Sequence, residues 1–97
     1  MRKKLDPSEI SQRITSLPDW KAENGRLLRA FSFPDFKSAL DFVNRAGAIA
    51  EEMGHHPDIQ LGWGRAAFEI STHDAGGITD NDFELARRID GIAGALK

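Results

Sequence analysis

Residues 54–73 read GHHPDIQLGWGRAAFEISTH, a stretch in which two short apolar-alternating segments lie between histidines. Gly54 is a natural helix stop, and Pro57 prevents a preceding helix from continuing. In residues 58–63 and 65–72, apolar side chains occupy every second position, which is typical of strands with one buried face. The Gly-Trp-Gly run between the two segments indicates a tight turn or a close approach of another segment. This stretch therefore predicts an antiparallel hairpin with two histidines just before its first strand and one just after its second.

A second hairpin is predicted nearer the N-terminus. Asn24-Gly25 is the strongest short hairpin signal, because both residues tolerate positive φ at the two turn positions. Residues 20–23 and 26–33 flank it and have strand character, although the alternation in the second segment leaves open which of its faces is buried. The chain thus contains two predicted hairpins.

Three helices separate and flank these hairpins. Asp6-Pro7-Ser8-Glu9 has the pattern of a capping box with proline at the first helical position, and Thr79 is suited to cap the last helix. The helices are predicted at about residues 7–16, 34–53 and 80–96, the last with a stripe of Leu85, Ile89, Ile92 and Leu96. The long middle helix has an apolar stripe of Phe36, Leu40, Val43, Gly47 and Ala50, widened by Ala39, Phe42, Ala46, Ile49 and Met53. The order α-β-β-α-β-β-α predicts an α+β fold with helices on one face of the strands.

Length and charge limit the possible classes of protein. The 97 residues suggest a single domain, residues 1–97, in which residues 1–5 are expected to form a disordered tail. The formal net charge of −2, from 13 basic and 15 acidic residues, does not favour nucleic acid binding. Arg2-Lys3-Lys4 is the one basic cluster and is interpreted as part of the solvated tail.

Other features favour a cytoplasmic protein. The sequence contains no cysteine, which excludes disulfides, thiolate metal sites and cysteine nucleophiles and is compatible with a reducing compartment. No apolar stretch follows the N-terminal charges, so no signal peptide is predicted. No segment approaches the length of a membrane span, and no membrane partner is expected.

The three histidines are the strongest candidates for chemistry. Because paired strands of a hairpin run in opposite directions, residues before the first strand and after the second lie at one end of it. His55 and His56 precede the hairpin and His73 follows it, so the three imidazoles are predicted to share a pocket. A helix C-terminus favours a protonated imidazole, whereas a neighbouring cation disfavours it. One protonated and one neutral histidine would supply an acid and a base in the same site.

Two carboxylates have suitable positions near these histidines. Glu51 lies four residues before His55 and could orient an imidazole or bind a substrate. Asp82 lies three residues after Thr79, which fits a capping box with Asp in place of Glu, and it could also contact His73.

Alternatives remain open on the sequence alone. Three neutral imidazoles can hold zinc with an open fourth position, although adjacent histidines are poorly placed to bind one metal and no H-E-x-x-H motif is present. Trp63 either packs in the core or stacks on an aromatic ligand, and Trp20 is expected in the core or at an interface.

At the level of motifs, the chain resembles the pterin-4a-carbinolamine dehydratases. The resemblance rests on E-x-x-x-H-H-P at residues 51–57, Trp63, Thr72-His73, Gly77-Ile78-Thr79 and Asp82. It extends to the F-x-F-x-x-F segment at residues 31–36 and to Leu85-Ala86, and it covers roughly residues 5–93.

The resemblance implies a four-stranded antiparallel sheet with three helices on one face, in a protein that forms dimers or tetramers. It implies a dehydratase that removes water from 4a-hydroxytetrahydropterin without a metal or organic cofactor, and thus recycles the pterin oxidised by aromatic amino acid hydroxylases. The implied catalytic residues are His55, His56 and His73, with Asp82 positioning His73. The residues implied in pterin binding are Glu51, Gly54, Pro57, Trp63, Ser71, Thr72 and Asp74.

Two departures from the family pattern are visible. Gly54 stands where many relatives carry a polar or acidic residue, and Gly62-Trp63-Gly64 replaces the Tyr-Asn type of turn in animal relatives. Animal members also bind a homeodomain transcription factor, and nothing in this sequence supports that partner. A non-catalytic, dimerising adaptor of the same fold is the alternative function.

Overall fold

The structure is a computed structural model that describes residues 3–95. Arg2 of the predicted basic tail and Leu96 of the predicted helical stripe lie outside the described residues. Within residues 3–95, no helix is both long and apolar enough to cross a bilayer.

Four antiparallel strands form one sheet, as predicted. They are β1 (Lys21–Glu23), β2 (Arg26–Ser32), β3 (Asp58–Gly62) and β4 (Arg65–Ile70). The order across the sheet is β1-β2-β4-β3, so β2 and β4 are central and β3 is an edge strand. The strands end one or two residues earlier than predicted at several termini.

Both predicted turns are confirmed, and each depends on glycine. At the β1–β2 turn, Asn24 has φ 52° and Gly25 has φ 76°, the pair of positive values that a tight hairpin turn of this kind needs. At the β3–β4 turn, a Cβ on Gly64 would lie 2.7 Å from the carbonyl oxygen of Phe33. The Phe33 N–H donates to the Gly64 carbonyl at 2.8 Å, so a side chain at this position would disrupt the contact between the turn and the end of β2.

The register of the second hairpin confirms the key geometric prediction. Asp58 pairs with Glu69 at one end of the β3–β4 ladder, and Gly62 pairs with Arg65 at the other. The chain enters β3 from the end of a helix, and it leaves β4 at the same end of the β3–β4 ladder. The segments carrying the histidines therefore lie at the same end of the hairpin.

Three helices cover one face of the sheet. They are α1 (Pro7–Arg13), which continues as a 3₁₀ turn, α2 (Phe36–Met53) and α3 (Asp80–Ala95). Asp6 and Glu9 form the predicted capping box of α1. The Asp35 carboxylate caps α2 by accepting from the Ser38 N–H at 2.8 Å, and this contact lowers the pKa of Asp35.

The core lies between the sheet and the helices. In the two central strands, alternate residues face inwards, so the buried face of β2 is the one that carries Leu27 and Phe31. The buried α2 residues are Ala39, Phe42, Ala46 and Ala50, whereas Phe36 and Leu40 of the predicted apolar stripe are exposed. The buried hydrophobic members of the sheet and of α3 are Leu27, Phe31, Ala66, Phe68, Ile70, Phe83, Leu85, Ala86 and Ile89.

The structure corrects the extent of the predicted tail and removes one of the two alternatives for Trp63. Leu5 is buried and its N–H donates to the Ile78 carbonyl at 2.8 Å, so the expected disordered tail does not extend to this residue. Trp63 is 71% exposed, because it occupies the turn beyond the end of β3 and not an inward position of the strand. Trp20, in contrast, is buried in the core, one of the two locations expected for it, and its indole N–H donates to Asp90 at 2.8 Å.

Candidate functional site

The end of α2 directs the two adjacent histidines differently. Gly54 adopts the left-handed conformation with φ 63°, which ends the helix. Its N–H donates to the Glu51 carbonyl at 3.1 Å, and the N–H of His55 donates to the Ala50 carbonyl at 3.0 Å. This reversal fixes the backbone at the helix end. The His55 side chain is 4% exposed, whereas that of His56 is 63% exposed.

His55 forms a buried pair with Asp82 of α3. The contact joins His55 Nε2 to Asp82 Oδ1, and the Asp82 side chain is fully buried. The packing of α3 against the end of α2 gives the Asp82 carboxylate to His55, whereas the link from Asp82 to the segment that carries His73 runs through Thr72. A carboxylate accepts hydrogen bonds only, so His55 carries its proton on Nε2 in the neutral form and leaves Nδ1 as its acceptor.

The second carboxylate oxygen of Asp82 contributes to the N-terminal cap of α3. Asp82 Oδ2 accepts from the Thr79 N–H at 2.8 Å, which confirms the carboxylate half of the predicted capping box. The same oxygen accepts from Thr72 Oγ1 at 2.9 Å. Asp82 thus joins the end of α2, the segment after β4 and the start of α3 in one buried group.

His56 forms an exposed pair with Glu51. His56 Nε2 lies 2.8 Å from Glu51 Oε2, and the glutamate side chain is 79% exposed. The expected orienting role of Glu51 thus concerns His56 in this structure. Solvent surrounds both groups, so this pair can rearrange when a ligand arrives.

His73 begins a 3₁₀ turn, His73–Ala75, directly after Thr72. Its side chain is exposed, and the Thr72 N–H donates to the Gly77 carbonyl at 3.0 Å, which closes the loop. His73 directly follows Thr72, whose hydroxyl donates to the same Asp82 carboxylate that His55 contacts. The Cα atoms of these two consecutive residues lie about 3.8 Å apart. Ser71 and Asp74 flank this pair of residues.

Trp63 is not brought to the histidines within one chain. It follows Gly62 at the far end of β3, and the histidine segment precedes Asp58 at the near end. Four residue steps of strand span about 13 Å. Of the other expected pterin-binding residues, Gly54 and Pro57 flank the two adjacent histidines directly in the chain.

A cavity of about 550 Å³ lies elsewhere in the molecule. Its lining includes Phe31, Phe33 and Ser38, which places it at the end of β2 that pairs with the start of β4, away from the histidines. Arg29 also lines it and donates to Asp90 at 2.7 Å. Across residues 3–95, no three histidine, aspartate or glutamate side chains are grouped closely enough to hold a metal ion.

The sequence interpretation missed one member of this site. The Thr79 hydroxyl lies 2.7 Å from the Thr72 hydroxyl, and both side chains are buried. The sequence signal for Thr79 was its capping position, which predicts a backbone role and contains no information about a partner seven residues earlier.

Comparison with known proteins assigns the chain to a family. Residues 3–92 match the family model described as pterin 4 alpha carbinolamine dehydratase. A protein of Thermosynechococcus vestitus with the provisional name pterin-4-alpha-carbinolamine dehydratase is 42% identical over 96% of this chain and 98% of its own length. A Sulfolobus acidocaldarius protein with the same provisional name is 43% identical over 92% of this chain and 98% of its own. The chain therefore belongs to the pterin 4 alpha carbinolamine dehydratase family.

Solved structures agree in fold. The transcriptional coactivator/pterin dehydratase from Brucella melitensis superposes with a TM-score of 0.90 at 30% identity, covering 94% of this chain and 99% of that one. A pterin dehydratase-like protein identified as a RuBisCO assembly factor in the alpha-carboxysome has a TM-score of 0.64 at 24% identity, covering 77% of this chain and 87% of its own. The second likeness concerns the fold alone.

Proposed function

We propose that this protein is a 4a-hydroxytetrahydrobiopterin dehydratase, which removes water from a pterin-4a-carbinolamine to give the quinonoid dihydropterin. The observation that carries the proposal is the buried His55–Asp82 pair beside the exposed His56–Glu51 pair. Two imidazoles, each bonded to a carboxylate in a different environment, supply the acid and the base that the elimination needs. Family membership supports the same reaction.

The reaction needs two proton transfers and no redox step. The C4a–O bond breaks as the N5 lone pair forms a double bond to C4a. An acid protonates the departing hydroxyl so that it leaves as water, and a base takes the proton from N5. Each transfer by a positioned group contributes roughly 10²–10⁴-fold to the rate.

We assign the base to His55. Its Nε2 is held by Asp82, so the carboxylate stabilises the imidazolium that forms when Nδ1 takes a proton.

The exposed His56 and His73 are the candidates for the acid. Their exposure supports this role, together with their places in the chain next to His55 and to Thr72, both of which contact Asp82. Glu51, Gly54, Pro57, Ser71, Thr72 and Asp74 are proposed to surround the pterin, and Trp63, at the opposite end of β3, is left out of this proposal.

We further propose that the protein acts as a cytoplasmic homo-oligomer that serves an aromatic amino acid hydroxylase in tetrahydrobiopterin recycling. The support for an oligomer is the exposed apolar pair on α2, where Phe36 is 44% and Leu40 is 37% exposed one helical turn apart. A second copy that covers this pair would remove apolar surface from water. Sedimentation of the purified protein tests it: a dimer or tetramer is expected, and a monomer at micromolar concentration would contradict it.

The activity is tested with a carbinolamine substrate after exhaustive chelation. The wild type and the control variant Glu52→Gln are expected to remain active, whereas His73→Ala is expected to lose roughly 100-fold or more while staying folded. Retention of full activity by a folded His73→Ala protein would overturn the site assignment. Loss of wild-type activity on chelation, with metal found in the purified protein, would favour the three-histidine zinc alternative.

A non-catalytic adaptor is the second candidate function. It is favoured by the exposed α2 pair and by the double name of the Brucella melitensis relative, a transcriptional coactivator/pterin dehydratase. Calorimetric titration with a dihydropterin separates the two functions. The dehydratase is expected to bind the pterin, with binding weakened by His55→Ala, and an adaptor is expected to show no heat of binding.

A further inference from the structure

Two buried threonines stand behind the Asp82 carboxylate. Thr72 Oγ1 lies 2.9 Å from Asp82 Oδ2 and 2.7 Å from Thr79 Oγ1. Thr72, Thr79 and Asp82 are all essentially inaccessible to solvent. Water therefore does not compete for these hydrogen bonds, and their directions are set by the groups themselves.

Each of the two hydroxyl protons has a single acceptor. A carboxylate can only accept, so the single proton of Thr72 Oγ1 points to Asp82. Thr72 then has no proton left for Thr79, and the contact between the two hydroxyls requires that Thr79 donate. The chain of donors runs from Thr79 to Thr72 to Asp82, and His55 donates to the same carboxylate from the other side.

We propose that Thr79 and Thr72 are positioning residues for His55 and His73, an inference that rests on the proposed function. Thr72 O–H and Thr79 N–H occupy Asp82 Oδ2, which leaves Oδ1 to hold His55 in its Nε2–H tautomer. The same hydroxyl chain ties down the residue immediately before His73. It therefore fixes the spacing between His55 and His73 as well as the tautomer of His55.

The test replaces each threonine by valine and, as a control, Thr79 by serine. Valine keeps the shape of threonine but removes the hydroxyl, and serine keeps the hydroxyl. Thr79→Val is expected to lower kcat about tenfold with little change in KM, because misplaced catalytic groups slow the chemical step. Thr72→Val, which removes the direct donor to Asp82, is expected to cost more, and Thr79→Ser is expected to restore most of kcat.

A tautomer measurement makes the test independent of activity. In ¹⁵N NMR of the labelled protein, His55 is expected to be almost wholly in the Nε2–H form in the wild type. Thr72→Val is expected to increase the Nδ1–H fraction measurably. If the wild type lacks dehydratase activity, the proposed function fails, but the tautomer shift still decides whether the threonines position His55.

The double variant Thr72→Val/Thr79→Val separates positioning from structure. Replacing both hydroxyls by apolar groups of the same shape leaves no unpaired threonine hydroxyl, so the double variant is expected to be at least as stable as Thr72→Val. Its kcat is expected to stay low. A double variant with wild-type kcat and an unchanged His55 tautomer would overturn the proposal, as would a kcat that follows stability across all variants.

Discussion

His55 and His56 are neighbours in the chain, and each has an Nε2 contact with a carboxylate, yet their surroundings are opposite. The His55–Asp82 pair is 4% and 0% exposed and links two helices, whereas the His56–Glu51 pair is 63% and 79% exposed and links a helix end to its own last turns. Burial makes the first pair rigid and costly to break. Solvent makes the second pair weak and adaptable. The comparison teaches that two adjacent residues at one helix end can present a buried imidazole and a solvent-exposed imidazole side by side.

The largest expected effect is on stability, and it comes from Asp82. Asp82→Ala leaves the His55 ring, the Thr72 hydroxyl and the Thr79 N–H without their buried acceptor, so we expect a loss of about 3–5 kcal/mol of unfolding free energy. Glu51→Ala is the matched change in the exposed pair and is expected to cost less than about 1 kcal/mol. Urea unfolding of both variants measures the difference. Equal losses would show that the two pairs do not differ as described.

A smaller effect is expected on activity alone. His56→Ala should lower kcat by roughly 10²-fold or more if His56 donates the proton to the leaving oxygen, because a positioned acid contributes about this much. Its urea midpoint should match that of the wild type, since the ring is largely in solvent. His55→Ala, in contrast, should lose both activity and stability. A His56→Ala protein with full activity would assign the acid to His73.

The smallest expected effect concerns the carboxylate of Asp35, which accepts a hydrogen bond from a backbone N–H and contacts no imidazole. The Ser38 N–H holds the pKa of Asp35 below its ordinary value, so the folded state favours the charged form. The stability from this contact is present above the unfolded pKa of about 3.8 and is lost as pH falls through the folded pKa. Asp35→Ala should therefore reduce stability at pH 7, and the difference from the wild type should shrink towards pH 2. A difference that does not change with pH in urea unfolding would contradict a charged cap.

Most of the fold could be predicted because its signals are local. Asn24-Gly25 fixes a turn through backbone conformation, and the alternation in 65–70 fixes which face of β4 is buried. The exposure of Trp63 could not be predicted, because an aromatic residue at an alternating position extends the strand pattern into the turn. Its exposure depends on where the ladder ends, which is set by the Gly62–Arg65 pair.

The candidate site was predictable in its membership but not in its contacts. The hairpin register follows from the strands, so the common location of the histidines could be derived. The partner of Asp82 could not, because it depends on how α3 packs against the end of α2, and the capping position of Asp82 is compatible with a reach to either His55 or His73. The hydroxyl of Thr79 was missed for the same reason.

A crystal structure with a bound dihydropterin tests the central claim most directly. The account predicts that the pterin lies between the helix end that carries His55 and His56 and the loop that carries His73. It further predicts that His55 Nδ1 comes within hydrogen-bond reach, about 2.6–3.2 Å, of N5 or its bridging water. A pterin bound instead in the cavity beside Phe31 and Phe33, with the histidines untouched, would contradict it.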